Sequence, residues 1–365
     1  MKVGLYTIHA IDNFGAQLQA FATQHFLQRN GYECEVVNLF SKEEELRVSY
    51  RYPWHSLKGI ALNLYAMFMP SVIAKKYRQR KFNKLLNLSR RYYSSEELQK
   101  SPQEYDVHLV GSDQVWNFEG GRPENNPFFL HYLPKKARKI SYASSFGKAH
   151  ISDEYTPFLR EALGSFDKLS SRENDGVELI RNVTGKKAQL VLDPTFLLSS
   201  DEWATYCSSK PLIQYDYILC YGFAITDYWQ SILDRTSQLL GMPVVAISIA
   251  LHIPYKVDRF YQAAGPAEFL NLIKNARCVL TGSFHGMALA LNFKKDFIVV
   301  RQGTRMSRME SLLNMLGLEE WIISDADELS NLINNKRQVD YSYVQPLLDK
   351  EVSISKQWLL DALKE

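Results

Sequence analysis

The sequence predicts an α/β protein of two doubly wound, Rossmann-like domains facing a cleft. Short runs rich in Val, Ile and Leu recur along the chain. They are continuous rather than alternating, as parallel strands covered on both faces require. Most runs are followed by a helix-length segment with a stop signal, often Gly. The length, 365 residues, exceeds one ordinary domain.

The strand candidates of the first half are "KVGLYTI" (2–8), "ECEVVNL" (33–39), "VHLVG" (107–111), "KISYASS" (139–145), "KLSSR" (168–172) and "AQLVL" (188–192). Helices fall at "AQLQAFATQHFLQRNG" (16–31) and "DGVELIRNVTG" (175–185), each closed by Gly. The pattern pauses at "DPTFLLSSDEWATYCSSKPL" (193–212), a Ser-rich stretch with proline that suits a domain crossing. It resumes with strands "YDYILCYGF" (215–223), "PVVAISI" (243–249), "RCVLTG" (277–282), "DFIVV" (296–300) and "WIIS" (321–324). Helices are expected at 227–241, 265–276, 283–292 and 307–318, and an amphipathic helix ends the chain. The expected organisation is a first domain over 1–195, a second over 213–340 and a tail helix over 341–365.

Hydrophobic residues make up 46% and charged residues 23%, as in a soluble protein with a full core. The 21 Tyr and 19 Phe suit an aromatic core and amphipathic surface first, and a sugar-binding cleft second. The net charge of +3 selects no class of partner. Cys34, Cys207, Cys220 and Cys278 are far apart and form no C-x-x-C pair. They read as reduced thiols of a cytoplasmic protein, with neither a disulfide nor a metal site expected. "MKVGLYTIHA" is apolar over too few residues for a signal peptide and reads as a first strand. "GIALNLYAMFMPSVIA" (59–74) is broken by Asn63 and Pro70, too short a run to span a bilayer. The basic "AKKYRQRKFNKLLNLSRRYY" (74–93) follows it. Two readings stand for 59–93: a solvated helix face, or a surface contact with the cytoplasmic membrane's inner leaflet. No groove-reading motif accompanies the charge, so nucleic acid is not expected.

Polar groups gather where strands end, which is where open α/β sheets bind ligands. In "TIHAIDNFGAQLQAF" (7–21), Asn13 and Gly15 open a helix. Asn13 can be a plain N-cap. The free N–H groups there can also hold an anion or a sugar hydroxyl, with Gly15 permitting close approach. "LVGSDQVWN" (109–117) sets Ser112, Asp113, Gln114, Trp116 and Asn117 past a buried strand. Asp113 can act as a base on a sugar hydroxyl, or the group is a capped helix start with Trp116 packed beneath. Ser145 of "SYASSFG" and Ser171 with Arg172 of "LSSREN" end two further strands. Arg172 can fork onto a phosphate or carboxylate, or pair with Glu173 or Asp193. "VLDPTFLL" (191–198) reads as a structural turn. In "TGSFHGMALALNF" (281–293), Ser283 can cap a helix and Gly286 leaves its first turn bare. His285 then sits at a positive helix end that favours anions and lowers its pKa.

The segments "DNFGAQLQAFA", "LVGSDQVWN", "SYASSFG", "SSRENDGVELI", "LVLDPTFLL" and "GPAEFLNLIKNARCVLTGSFHGMALALNF" together resemble the polysaccharide pyruvyl transferase family, from about residue 3 to 300. The resemblance implies a GT-B-like fold with the site between the domains. It implies transfer of a pyruvyl group from phosphoenolpyruvate to two hydroxyls of a sugar, giving a ketal, without metal or organic cofactor. On that analogy His285 and Arg172 belong to the phosphoenolpyruvate site, His285 as the acid. Asn13, Gly15 and Asp113 face the acceptor, which is lipid-linked in one version of the reading. The alternatives are a GT-B glycosyltransferase using a nucleotide sugar, and a non-catalytic scaffold of a polysaccharide assembly complex.

Overall fold

The computed structural model describes residues 1–9, 13–40, 57, 60, 61, 64, 68–118, 121–147, 151–208, 210–222, 227–250, 252–302, 306–335 and 338–364. Strand β1 (Lys2–Tyr6) is an apolar run buried along nearly its whole length. Helix α1 (Phe14–Arg29) starts where Asn13 Oδ1 accepts the N–H groups of Gly15 and Ala16. β2 (Glu33–Leu39), α2 (Pro70–Asn83), β3 (Leu88–Tyr92), α3 (Ser95–Lys100), β4 (Val107–Val110) and β5 (Lys139–Ser141) follow. α4 (Thr156–Gly164), β6 (Ser170–Ser171), α5 (Asn174–Thr184) and β7 (Gln189–Leu190) complete this half. The first sheet is all parallel in the order β3-β2-β1-β4-β5, and single bridges carry it toward β6.

A short turn at Pro194–Leu197 and α6 (Ser200–Ala204) lead across to the second domain. There β8 (Ile218–Tyr221), α7 (Asp227–Leu240), β9 (Val244–Ala246) and β10 (Arg259–Phe260) come first. α8 (Pro266–Asn275), β11 (Cys278–Thr281), α9 (Phe284–Asn292), β12 (Asp296–Val300) and α10 (Ser307–Leu316) follow. β13 (Ile322–Ile323), α11 (Ala326–Asn335) and α12 (Tyr341–Lys364) end the fold. This sheet is also parallel, in the order β10-β9-β8-β11-β12-β13. Strand order reverses between β1 and β4 in one sheet and between β8 and β11 in the other. Both reversals are the crevice positions where doubly wound sheets bind ligands.

One apolar core runs through both domains, from Val3, Leu5 and Phe14 to Tyr221, Phe269 and Leu280. Phe14 of α1 packs on Phe269 and Tyr221 at ring-centroid distances of 5.2 and 6.0 Å. α1 is therefore buried on nearly all sides, as a helix wedged between two domains must be. α12 returns to the first domain. Arg138 Nη2 donates to Ala362 O at 2.7 Å, and Leu192 N donates to Ser355 Oγ at 2.9 Å.

Part of the basic segment is a solvated helix face, and part of it serves a docking role the sequence did not announce. Lys75 is buried and its Nζ donates to Ile249 O. Arg78 donates to Ala263 O at 2.6 Å and pairs with Glu268 at 3.2 Å. These cations fasten α2 to the second domain. Arg80, Lys81 and Lys84 face outward with Ile73 and Tyr77. Residues 59, 62, 63 and 65–67 of the expected membrane-surface segment lie outside the described residues. No helix among the described residues is long and apolar enough to cross a membrane.

Candidate active site

Gly111 ends β4 against Thr7, and the chain then turns sharply. Asp113 takes a left-handed backbone, φ 72°, costly for a residue with a side chain and common where function demands it. Its pairing with Ser144 and the Ser145 N to Asp113 O bond of 3.1 Å hold it there. The Asp113 bonds to Gln114 N (2.9 Å) and Arg172 Nη2 (3.1 Å) both fall on Oδ1.

Arg172 arrives from the end of β6 and is wholly buried. Its Nη1 donates to Asp193 Oδ2 at 2.7 Å, its Nη2 to Asp113, and its plane lies over Phe284 at 4.9 Å. Ser112 Oγ donates to the same Asp193 oxygen at 3.0 Å. Asp193 Oδ1 takes Thr195 N at 3.0 Å and Thr195 Oγ1 at 2.8 Å. One arginine thus ties a carboxylate of the first domain to the crossing turn. Burial alone would raise the Asp113 carboxyl, but the Arg172 guanidinium leads the influences that bring it below its usual range. Burial also opposes the Asp193 carboxylate, and His285, Arg172 and the Thr195 donors together hold it low.

The opposite wall begins at β11. Thr281 Oγ1 donates to Tyr221 O at 2.6 Å and accepts Ser283 N at 3.0 Å. A side chain on Gly286 would come within 2.5 Å of Thr281 Oγ1, so glycine lets α9 start directly over this strand end. Asn292 Nδ2 donates to Thr195 O (3.0 Å) and Leu198 O (2.9 Å), fixing α9 to the turn that carries Asp193. His285 packs on Gly15, where even a Cβ would overlap the imidazole. Its Nε2 stands 3.7 Å from Asp193 Oδ2, too far for a hydrogen bond, and is buried without a partner. Burial lowers the His285 pKa against the pull of Asp193 and Asp113. The imidazole is therefore mainly neutral near pH 7, and the lasting cation beside Asp193 is Arg172.

Between these walls lies a cavity of about 440 Å³. Asn13, Asp113 and Gln114 line it from one domain, and Ser283, Phe284, His285, Gln302 and Arg308 are among its lining from the other. Arg308 forms no ion pair among the described residues. Burial, and next Arg172, push its pKa down to about 10, which leaves it cationic at neutral pH. Gln302 Nε2 is also buried and unbonded. No side chain caps the first turn of α9. The cavity therefore offers donors and positive charge to a ligand anion. Among the described residues no three His, Cys, Asp or Glu side chains converge as metal ligands.

The structure brings Asn13, Asp113, Gln114, Ser283 and His285 to the cavity and sets the other expected residues elsewhere. The two Nη groups of Arg172 are held by Asp193 and Asp113 behind the wall, with its Nε buried and unbonded, so the pairing alternative with Asp193 describes it. Gly15 and Gly286 make room for His285 and Thr281, not for ligand, and Ser283 caps nothing with its side chain. Ser112 bonds Asp193 from the same buried layer. Ser145 Oγ donates to Glu173 at 2.7 Å, and Ser171 Oγ accepts Glu173 N at 3.4 Å, both buried away from the cavity. Trp116 packs beneath, its Nε1 donating to Phe128 O at 3.2 Å. Asp193, read as structural, joins the site, and Arg308, Gln302 and Phe284 were not foreseen. The available signal was "VVRQGTRMSR", three arginines just past a strand's carboxyl end.

A model of the polysaccharide pyruvyl transferase family matches residues 13–303. The chain belongs to this family. As a polysaccharide pyruvyl transferase family member it is a transferase, and the match spans both walls of the cavity but stops short of Arg308. No curated protein sequence matches it significantly. Among solved structures it is similar to UDP-N-acetylglucosamine 2-epimerase from Neisseria meningitidis bound to UDP-GlcNAc. That match has 12% identity, 99% of this chain, 100% of that one and a TM-score of 0.53. The Rickettsia bellii epimerase matches at 11% identity over 100% of this chain and 96% of its own, TM-score 0.52. A trehalose-6-phosphate protein from E. coli bound with UDP-2-fluoro glucose matches at 10% identity over 100% and 99%, TM-score 0.52. At such identities the likeness shows the fold alone, and that fold is GT-B.

Proposed function

We propose that the protein moves the pyruvyl group of phosphoenolpyruvate onto two hydroxyls of a polysaccharide sugar. One observation carries this reading: the cavity gathers a cation, a helix end and unbonded N–H groups around His285, with a carboxylate opposite. Phosphoenolpyruvate carries a phosphate and a carboxylate for Arg308 and the α9 turn. Its charge would raise the His285 pKa, turning a neutral imidazole into an acid where the donor is bound. His285 then protonates the CH2 carbon, and C2 becomes electrophilic. A sugar hydroxyl attacks C2 while Asp113 accepts a hydrogen bond from it. The low pKa of Asp113 suits it to orienting that hydroxyl rather than keeping its proton. The C2–O bond to phosphate breaks, and a second hydroxyl closes the ketal. Of the two hydroxyl protons released, one restores His285 and one leaves with phosphate. Arg172 acts at one remove, by holding Asp113 and Asp193 in place.

The test pairs thermal-shift titration with product mass. Phosphoenolpyruvate is expected to stabilise the protein where UDP-sugars do not, and Arg308→Ala to abolish that shift. His285→Gln is expected to cost on the order of 10²–10³ or more in turnover, read as ketal addition to lipid-linked oligosaccharide by mass spectrometry. Stabilisation by a UDP-sugar and none by phosphoenolpyruvate would overturn the reading in favour of glycosyl transfer.

A further inference from the structure

The two ring nitrogens of His285 stand in different surroundings. Nε2 is buried without a hydrogen bond, and its neighbour is Asp193 Oδ2, 3.7 Å away. A buried polar atom left unmatched is costly and calls for a role. A neutral imidazole bears a hydrogen on one nitrogen and a lone pair on the other. A lone pair on Nε2 would face a wholly buried carboxylate and be repelled, whereas an N–H there is attracted. The carboxylate therefore selects the Nε2–H form. His285 lines the cavity while its Nε2 is closed off, so Nδ1, with the lone pair, is the nitrogen left to meet a ligand.

Both partners are held. Asp193 Oδ1 accepts Thr195 N and Oγ1, and its Oδ2 accepts Arg172 Nη1 and Ser112 Oγ. Asn292, about two turns along α9 from His285, donates to Thr195 O and Leu198 O, so the helix and the crossing turn move together. A shift of about 0.8 Å would bring Nε2 to ordinary bonding distance from Oδ2. Among the charged groups around the ring, Asp193 and Asp113 favour the imidazolium, and Arg172 and Arg308 oppose it. α1 meets the ring at Gly15, which carries no charge.

We infer that Asp193 is the positioning residue of His285: it keeps a proton on Nε2 and so makes Nδ1 the nitrogen that exchanges protons with bound substrate. The inference rests on His285 as the acid of the proposed reaction. When an anionic donor enters, Nδ1 takes a proton from water, and the Nε2–H of the imidazolium closes on Asp193. Nδ1 then gives its proton to the CH2 carbon of the donor, forming the new C–H bond, and the ring returns to the neutral Nε2–H form. Asp193 stays ionised throughout and passes on no proton.

The test is nitrogen NMR of the full chain labelled with 15N-histidine, the His285 signals being identified by their loss in His285→Gln. In the free wild-type protein at pH 8 the proton is expected on Nε2, with none on Nδ1. A free-protein ring protonated on Nδ1 overturns the inference, and this reading needs no variant at Asp193. Asp193→Asn is expected to lower the pH at which His285 titrates and to reduce kcat on the order of 10²-fold or more. Loss of a merely structural carboxylate would cut turnover without lowering that midpoint, so a midpoint unmoved or raised also overturns the inference. Adding phosphoenolpyruvate to the wild-type protein is expected to place a proton on Nδ1 as well. An Nε2–H ring that does not respond to phosphoenolpyruvate would strike the proposed donor and leave the Asp193 pairing standing.

Discussion

His285 and Gly15 form one working unit across two domains. In the sequence each looks like a local feature of its own helix start. In the fold the glycine is the seat of the imidazole. A methyl group at Gly15 would meet that ring first, at 2.1 Å from Nδ1. Gly15→Ala is expected to displace His285 and lower kcat about 10²-fold, since a shift near 1 Å can cost that much. The stability cost of such overpacking is about 1–3 kcal/mol. Steady-state kinetics with phosphoenolpyruvate checks it, and wild-type kcat would refute the seat. Arg172 shows the opposite lesson. A guanidinium at a strand end beside two serines is chemically fit for an anion. Whether it meets a ligand or a carboxylate depends on which chain segment the fold delivers to it, here Asp113 and Asp193.

Regular elements with strong apolar runs were legible before the fold was known. β2 and β12 match the expected "ECEVVNL" and "DFIVV" at both ends, and the four helices expected at 227–241, 265–276, 283–292 and 307–318 start and stop within a few residues of expectation, whereas α11 was not expected. β3 and β10 escaped notice for a physical reason. Both are edge strands, and "LSRRY" and the two-residue Arg259–Phe260 carry too little apolar pattern to announce themselves. The basic α2 was legible as a helix face, but its docking on the second domain was not. Removing Arg78 deletes a charged hydrogen bond at 2.6 Å and an ion pair with Glu268. Arg78→Ala is expected to destabilise the protein by about 1.5–3 kcal/mol. It should also open α2 to limited proteolysis. An unchanged melting temperature and cleavage pattern would show that the clamp is idle.

The two domains and the turn between them enclose a buried charge system that makes the whole molecule sensitive to acid. His285 titrates below its usual 6.5 when folded, through burial first, and burial likewise lowers His25, His131 and, to about 4, His108. A depressed histidine contributes fully above pH 6.5. Below it, the unfolded chain takes a proton that the folded site refuses, and stability is lost. Asp113 and Asp193 are held below 3.8, so their contribution is lost further down, as pH falls through their folded values. The melting temperature of the free protein is expected to hold above pH 6.5, to fall below it and to drop more steeply below about 4. Bound phosphoenolpyruvate should stabilise more at pH 6 than at pH 8, because it draws a proton onto His285. A free-protein melting temperature that rises from pH 6.5 to 5 would contradict the burial of these groups. By itself the sequence determined the two doubly wound sheets, the strand ends where chemistry collects and the importance of "TGSFHG". These follow from local pattern and from the geometry that opens a helix after a parallel strand. Only the tertiary structure decided that Arg172 serves Asp113 and Asp193, that Arg308 lines the cavity and that Gly15 seats His285. Those assignments join residues 59 and 21 positions apart in Arg172's case and bridge two domains in the others. Only long-range packing sets which groups are stripped of water together.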